Sequence, residues 1–243
     1  MPMRVLPFFR TRRGRAACLG PIVLAIGSTA IAPANAAPAA GPNVALVQMP
    51  GTADFRGEAA SAEARVVANW VVASHDNQAL PFLVIDKANA RVFVFDASGT
   101  VLGAAAALLG LGRGDDSVPD IGHRRLATIT PTERTTPAGR FEAALGNDFE
   151  QDILWIDYDK ALSLHRVIVG NRKERRAERL ASRSTLDNRI SYGCVNVPVR
   201  FYDDIVAPAF TGTVGIVYIL PESKPLRAVF AIPEQPADSG GPH

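Results

Sequence analysis

The pattern of apolar positions changes near Pro81. Before this proline, five small or apolar residues recur at spacings of three and four: Ala59, Ala62, Val66, Trp70 and Ala73. This spacing places them on one face of a helix and predicts an N-terminal helix over 54–78, with Asp54 as its N-cap. Because that face ends in Trp70, we expect the helix to pack on the rest of the molecule.

After Pro81, short apolar runs separated by turn residues predict strands. The first three runs cover 82–86, 91–96 and 101–110, and short turns join them into consecutive hairpins. Two of these runs are apolar on both faces, so we expect both of their faces to be covered. Four further strands are predicted, over 139–145, 152–157, 161–169 and 213–220. With a short helix after Pro198, the predicted fold class is mainly β with a few helices.

The first 36 residues have the order of a secretory signal peptide. Five arginines precede an apolar run of about sixteen residues, and the small residues Ala34-Asn35-Ala36 follow it. The run is shorter than the roughly twenty residues of a bilayer span. We therefore predict a cleaved signal peptide over 1–36, a flexible Ala/Pro/Gly-rich leader over 37–53, and no stable membrane span afterwards. The expected location is the periplasm or the cell wall.

Cleavage at that point would reverse the sign of the net charge. The whole chain has 26 basic and 24 acidic residues, and loss of the five arginines leaves 21 against 24. The basic excess belongs to the precursor, so nucleic acid is not a predicted partner. Cys18 would also be lost, which leaves Cys194 without an intrachain disulfide partner. In an oxidising compartment, such a thiol forms an intermolecular bridge, is buried and inert, or is reactive.

Cys194 lies in the sequence ISYGCVNVP, over 190–198. A thiol attacks carbonyl carbons only as the thiolate, so a reactive cysteine needs a basic or cationic neighbour, commonly a histidine. Of the four histidines, only His165 lies within a predicted strand, in LSLHR, where a rigid element can hold it in place. The residues alone leave two roles open for His165: a partner of Cys194, or a histidine of the core.

Two polar segments raise further alternatives. The loop 113–136 contains three aspartates without the spacing and closing glutamate of a calcium loop, so we expect a solvated loop and no metal: Asp115, Asp116 and Asp120. The segment 172–183 has six basic and two acidic side chains and predicts a short exposed helix. Its charge fits either a solvated surface or a contact with an anionic substrate, such as a carboxylate-bearing wall polymer.

Three motifs, taken together with their order along the chain, resemble the L,D-transpeptidase catalytic domain, the YkuD-type domain. The family's cysteine signature is Ser/Thr-His-Gly-Cys-apolar-Arg/Asn, and 191–196 match it except that Tyr192 stands where the family usually has histidine. TPAGRF over 136–141 resembles the family's Thr-Pro-x-Gly-x-Phe turn, and LSLHR resembles its histidine strand. These motifs lie within 79–222, the predicted catalytic domain, which a predicted C-terminal tail over 223–243 follows. The segment between His165 and Ser191 is longer than is usual.

The resemblance implies a β-sandwich of mixed sheets, preceded here by the N-terminal helix. It implies a peptidoglycan L,D-transpeptidase, active in cell wall biogenesis and cell shape, with Cys194 as the nucleophile and His165 as the general base. The Gly193 backbone N–H would donate to the oxyanion, with Tyr192 as a further support. The implied partners are peptidoglycan stem peptides, and the reaction uses no cofactor or metal.

Three residues near these motifs are candidates for substrate contact: Arg140, Asn196 and Ser191. Ser191 and Asn196 fit support of the cysteine turn as well, and Arg140 fits a structural role equally well. Two alternative functions stay open. An L,D-carboxypeptidase would let water resolve the thioester, and a catalytically degenerate wall-binding module would follow if Tyr192, which carries no positive charge at neutral pH, abolishes activity.

Overall fold

A computed structural model describes residues 51–148 and 151–233. The predicted signal peptide, nearly all of the predicted leader and the last ten residues lie outside these ranges. The described residues are mainly β with a few helices, which confirms the predicted fold class. Within them, no helix combines the length and the apolar character that crossing a membrane requires.

Within residues 51–148 and 151–233, ten strands form one eight-stranded mixed sheet and one two-stranded sheet. Their bounds are β1 Phe82–Asp86, β2 Arg91–Phe95, β3 Val101–Ala106, β4 Leu109–Gly110, β5 Gly139–Asp148, β6 Gln151–Asp157, β7 Leu162–Arg166, β8 Arg189–Ser191, β9 Val195–Val197 and β10 Val214–Ile219. The large sheet has the order β3-β2-β1-β10-β5-β6-β7-β9, and β4 pairs with β8. The first three strands are antiparallel neighbours, as the predicted hairpins require.

The helical segments are short apart from the first. They are α1 Ala62–Ser74, α2 Arg176–Ala181, α3 Val199–Phe201 and α4 Ala207–Phe210, with a wide helical turn over Tyr202–Val206 that joins the last two. The loops of the described part of the chain contain five single 3₁₀ turns: Ile121–His123, Leu126–Thr128, Pro131–Glu133, Arg172–Glu174 and Leu226–Ala228. The helix predicted after the cysteine is therefore present, and Pro198 is its N-cap residue.

Strand β1 lies between two apolar cores. Leu83 and Ile85 face the core that also contains residues of β7 and β9, whereas Phe82 and Val84 face the core that α1 covers. All five residues of β1 are buried, as expected for a strand whose two faces are both covered. The core that includes β7 and β9 supports the segment around Cys194.

The N-terminal helix is shorter than predicted, and the prediction of Asp54 as its N-cap is wrong. Ser61 caps the helix, since its side chain accepts a hydrogen bond of 3.0 Å from the Ala64 N–H. Asp54 instead forms an isolated β-bridge with Thr100. The chain cannot be helical between these points because Arg56 has a φ of 46°, which lies in the left-handed region.

The buried face of α1 also differs from the predicted one. The residues that face the core are Ala64, Val67, Ala68 and Val71. Val66, which belongs to the predicted face, is 45% exposed, and Trp70 is half-buried with its ring 6.0 Å from the ring of Tyr218. Both sets of residues have helical spacing, so periodicity alone did not distinguish the buried stripe from its neighbour.

The expectation of a solvated loop is wrong for Asp115, which is buried beside the fully buried Lys87. The Lys87 ammonium donates to Asp115 Oδ1 at 2.8 Å and to the Thr136 carbonyl at 2.9 Å. Burial lowers the pKa of Lys87. Burial acts to raise the pKa of Asp115, but hydrogen bonds from Lys87 and Ser223 outweigh it and lower this pKa. The ion pair thus anchors the loop to the sheet.

Substitution Lys87→Met is expected to lower the free energy of unfolding by about 3–5 kcal/mol, because it leaves the Asp115 carboxylate buried without its cation. Urea denaturation followed by circular dichroism measures the change. Lys224→Met is the matched control, since Lys224 pairs with Asp116 at the surface, where one ion pair contributes less than about 1 kcal/mol. Equal losses in the two variants would contradict a stabilising role for the buried pair.

Candidate active site

Parallel pairing of two strands brings His165 and Cys194 together. In this pairing β7 lies beside β9, with His165 opposite Asn196, and Cys194 directly precedes β9. The long segment between the two motifs therefore leaves the pairing intact. The side chains of His165 and Cys194 are close enough for each to shift the pKa of the other. The Cys194 thiol donates to the Ala161 carbonyl and accepts from the Ser163 hydroxyl, both at 3.4 Å.

The surroundings of His165 define which ring nitrogen carries the proton. Nδ1 lies 2.7 Å from the carbonyl oxygen of Arg166. Because a carbonyl oxygen only accepts, Nδ1 donates and carries the proton of the neutral ring. The lone pair is then on Nε2, which lies 3.3 Å from the side-chain nitrogen of Asn196. This tautomer is the one that can receive a proton from the Cys194 thiol.

Burial and hydrogen bonding oppose each other in this pair. Burial raises the pKa of Cys194, but hydrogen bonds from His165 and Ser163 outweigh it, so the thiol pKa lies below its usual value. Burial lowers the pKa of His165, but the hydrogen bond with Cys194 outweighs it, so the imidazole pKa is raised. The two pKa values thus approach each other, which favours transfer of the thiol proton to the ring.

The Gly193 N–H, which was predicted to donate to the oxyanion, is already bonded within the turn in this structure. That N–H donates to the Ser191 hydroxyl at 3.1 Å, and the same hydroxyl donates to the Cys194 carbonyl at 2.6 Å. Ser191 thereby closes the turn internally, and its side chain is buried. The prediction failed because the sequence shows which residues form the turn but not where each N–H points.

Thr136, from the TPAGRF segment, stabilises the turn that contains Gly193 and Cys194. The Thr136 hydroxyl donates to the Gly193 carbonyl at 2.7 Å and accepts from the Gly110 N–H at 2.9 Å. Gly193 has a φ of 138°, and a Cβ atom there would lie 2.8 Å from the Thr135 carbonyl oxygen. Glycine is therefore required at 193 by the backbone conformation and by the close approach of the TPAGRF segment.

Tyr192, the residue that departs from the family signature, is held by a cation. The guanidinium carbon of Arg134 lies 3.9 Å from the centroid of the tyrosine ring, which is within the range of a cation–π contact. Arg134 is itself anchored, since it donates to the Ile129 carbonyl at 3.2 Å. Tyr192 is 37% exposed, so part of it reaches solvent. Packing against Arg134 fixes its position.

The three candidates for substrate contact lie elsewhere or are covered. Arg140 donates to the Asp76 carboxylate at 2.5 Å, and Asp76 also accepts from the Tyr218 hydroxyl, so these contacts tie β5 and β10 to the end of α1. Asn196 and Ser191 are only 1% and 3% exposed. Burial leaves neither available to a substrate, which corrects the prediction for both. Their hydrogen bonds support the cysteine turn and His165.

Sequence reasoning missed two residues that contact this site. Ser163 lies two positions before His165 on β7, so the two side chains share one face of the strand; this alternation was a usable signal. Arg176 of the Arg-rich segment donates to the Asn196 side-chain oxygen at 2.6 Å. No motif marked it among the six basic residues of that segment.

A cavity of about 330 Å³ lies between the 117–123 loop and the turn before β7. Residues 117–121 and His123 line one side, and Asp159 and Lys160 line the other. The next residue, Ala161, is the one whose carbonyl accepts from Cys194. Among the described residues, His, Cys, Asp and Glu side chains form no group of three or more that could hold a metal ion.

No protein-family model and no curated protein sequence matches the chain significantly. Similar solved structures include the helical cell shape determining protein Pgp2 from Campylobacter jejuni, at 15% identity and a TM-score of 0.40, over 60% of this chain and 49% of that one. An L,D-transpeptidase from Enterococcus faecium matches at 14% identity and a TM-score of 0.31, over 58% and 49%. Another from Xylanimonas cellulosilytica matches at 16% and 0.33, over 58% and 60%.

The chain therefore covers less than two thirds of each of these three structures. At such identities and TM-scores, the similarity assigns neither a family nor an activity to this chain. Any function has to be argued from the residues around Cys194.

Proposed function

We propose that this protein is a cysteine acyltransferase of the L,D-transpeptidase type that acts on peptidoglycan stem peptides. The observation that carries this proposal is the Cys194 thiol beside His165, whose Nδ1 proton is fixed by the Arg166 carbonyl. The cysteine signature over 191–196 supports the same assignment. The proposed location is outside the cytoplasm, in the periplasm or cell wall, where the predicted signal peptide would direct the chain.

In the first half-reaction, Nε2 of His165 takes the thiol proton and the Cys194 thiolate attacks the carbonyl carbon of the third residue of a tetrapeptide stem. The C–S bond forms as the carbonyl π electrons move to oxygen. When the tetrahedral intermediate collapses, the C–N bond to the terminal D-amino acid breaks, and its nitrogen takes the proton from His165. The products are a thioester on Cys194 and a free D-amino acid.

In the second half-reaction, an amine of a neighbouring stem attacks the thioester carbonyl and gives a proton to His165. The new C–N bond forms, the C–S bond breaks, and the Cys194 thiolate recovers the proton. The amide bond that is broken supplies the energy for the one that is made, so the scheme uses no nucleotide and no cofactor.

Stabilisation of the oxyanion falls to groups other than the Gly193 N–H. Among the hydrogen bonds of the described residues, none engages the Cys194 N–H, which leaves this group for the substrate oxygen. Tyr192, two residues before Cys194 in the chain, lies at the surface. A donor of this kind contributes about 3–4 kcal/mol of barrier reduction in other acyl-transfer enzymes.

The test is incubation of the protein with a carbapenem and, separately, with a stem tetrapeptide and an amine acceptor. Intact mass and peptide mapping should show a carbapenem adduct on Cys194, and product masses should show a cross-linked peptide with release of the D-amino acid. A shortened tripeptide without cross-link would identify an L,D-carboxypeptidase. If neither an adduct nor turnover is detected, the proposal is overturned and a wall-binding module is favoured.

Substitution Tyr192→Phe is expected to leave the acylation rate within about tenfold of the unchanged protein, or roughly 1.4 kcal/mol of barrier. Phenylalanine keeps the ring that Arg134 covers and removes only the hydroxyl. Stopped-flow acylation by a carbapenem measures the rate, and Tyr158→Phe is a matched control because Tyr158 is exposed. A hundredfold loss with an intact fold would make the Tyr192 hydroxyl an oxyanion donor.

A further inference from the structure

One arginine of the Arg-rich segment reaches the candidate active site. Arg176 begins α2, its side chain is only 15% exposed, and its Nη1 donates to the Asn196 side-chain oxygen at 2.6 Å. Glu174 accepts from its Nε. The preceding Arg175, by contrast, is 71% exposed and pairs loosely with Glu178 at 3.7 Å. The segment is thus not uniformly solvated, because one guanidinium is held against a buried amide.

The contact with Arg176 fixes the orientation of the Asn196 amide. A guanidinium has only hydrogen-bond donors, so its partner must be the oxygen of the amide and cannot be the NH₂ group. The NH₂ group is therefore directed to the other side, where it lies 3.3 Å from Nε2 of His165 and 3.3 Å from the Cys194 carbonyl. Asn196 is 1% exposed, so water does not compete for either end.

The direction of this amide decides which form of His165 it stabilises. An NH₂ group donates to the Nε2 lone pair and so favours the ring without a proton on Nε2. A reversed amide would present its oxygen to Nε2 and so favour a proton there. We propose that Arg176 is a positioning residue that acts through Asn196 to hold His165 in the neutral, Nδ1-protonated form, the form ready to accept the Cys194 proton.

That this positioning serves catalysis rests on the proposed function. That Arg176 acts through Asn196 on the protonation of His165 does not. Two titratable or charged side chains act on His165: the Cys194 thiol from the segment before β9 and the Arg176 guanidinium from α2, which Glu174 contacts. From β7 itself, Arg166 contributes its carbonyl oxygen. Arg166 is paired with Asp152 and Asp203. Burial and the charge of Arg176 lower the pKa of His165, whereas the hydrogen bond with Cys194 raises it.

The test is an NMR titration of the His165 ring in a Cys194→Ser background, which removes the coupled thiol. Substitution Arg176→Met should raise the His165 midpoint by about half a pH unit or more, because it removes a nearby positive charge and frees the amide to reverse. Arg175→Met is the matched control, since it removes the same charge from the same segment at an exposed position. Arg176→Lys keeps both charge and donor and should restore most of the lower midpoint.

A His165 midpoint that is equal in Arg176→Met and Arg175→Met would overturn the proposal and leave Arg176 with a structural role alone. If Arg176→Met does not fold, Arg176→Gln is titrated under the same criterion. The titration uses no substrate, so it separates the two claims. A protein that no carbapenem acylates but whose His165 midpoint depends on Arg176 would contradict the proposed function and retain this inference.

Discussion

Substitution Cys194→Ser will abolish acylation by a carbapenem and turnover of stem tetrapeptides, a loss of at least about a thousandfold. A serine hydroxyl is far less acidic than a thiol, so the hydrogen bonds from His165 and Ser163 that lower the pKa of Cys194 against the effect of burial are expected to leave a hydroxyl protonated. The contacts of Sγ are 3.4 Å long, which suits sulfur and is long for a hydroxyl oxygen. Intact mass after carbapenem treatment and chromatography of stem peptides measure the loss.

The control for this substitution is Ser163→Ala, which removes the neighbouring hydroxyl and keeps the thiol. It is expected to slow acylation while a carbapenem adduct still forms on Cys194. Circular dichroism should show an intact fold for both variants. Turnover retained in Cys194→Ser would mean that another residue is the nucleophile.

Substitution His165→Gln is expected to slow acylation by about a hundredfold to ten-thousandfold, the usual contribution of a general base. It should also move the alkylation of Cys194 by iodoacetamide to higher pH. The sign follows from the thiol: burial raises the pKa of Cys194, and the hydrogen bond from His165 lowers it. Loss of His165 raises that pKa again, so less thiolate is present at neutral pH. Alkylation rates from pH 5 to 10 give the midpoint.

Substitution His75→Asn provides the histidine control. His75 is the exposed C-cap residue of α1 with a φ of 56°, a conformation that asparagine tolerates. Its alkylation midpoint should equal that of the unchanged protein. If the alkylation midpoint of Cys194 is also unchanged in His165→Gln, then His165 is not the general base. Another group must then lower the pKa of the thiol.

The strands were predictable because their signal is local. In β1 and β2, apolar runs end at turn residues, and the observed bounds agree with the predicted ones within one residue. The helix was only partly predictable, since Ala64 and Val66 belong to adjacent stripes that both have helical spacing. Only the sheet surface beneath α1 decides which stripe is buried, and that surface comes from other parts of the chain.

The pairing of Cys194 with His165 was predictable from the order of the motifs, but its fine geometry was not. The direction of the Gly193 N–H depends on backbone angles that glycine leaves unspecified. Asp115 looks solvated in a polar loop, and its burial depends on Lys87, 28 residues earlier in the chain. The contact of Arg176 with Asn196 joins positions 20 residues apart, without a periodic pattern to announce it.

The central place of the last strand also bears on how the molecule folds. β10 pairs with β1 on one side and β5 on the other, so the large sheet is divided into two parts until residues 214–219 are present. The pairing of β1 with β10 joins residues more than 130 positions apart, and such high contact order slows folding because a long loop must close first. The nucleophile and its histidine lie in the second part, upstream of this closing strand. During synthesis, Cys194 therefore emerges before the large sheet is complete. Only the complete sheet holds the surroundings of the thiol rigid.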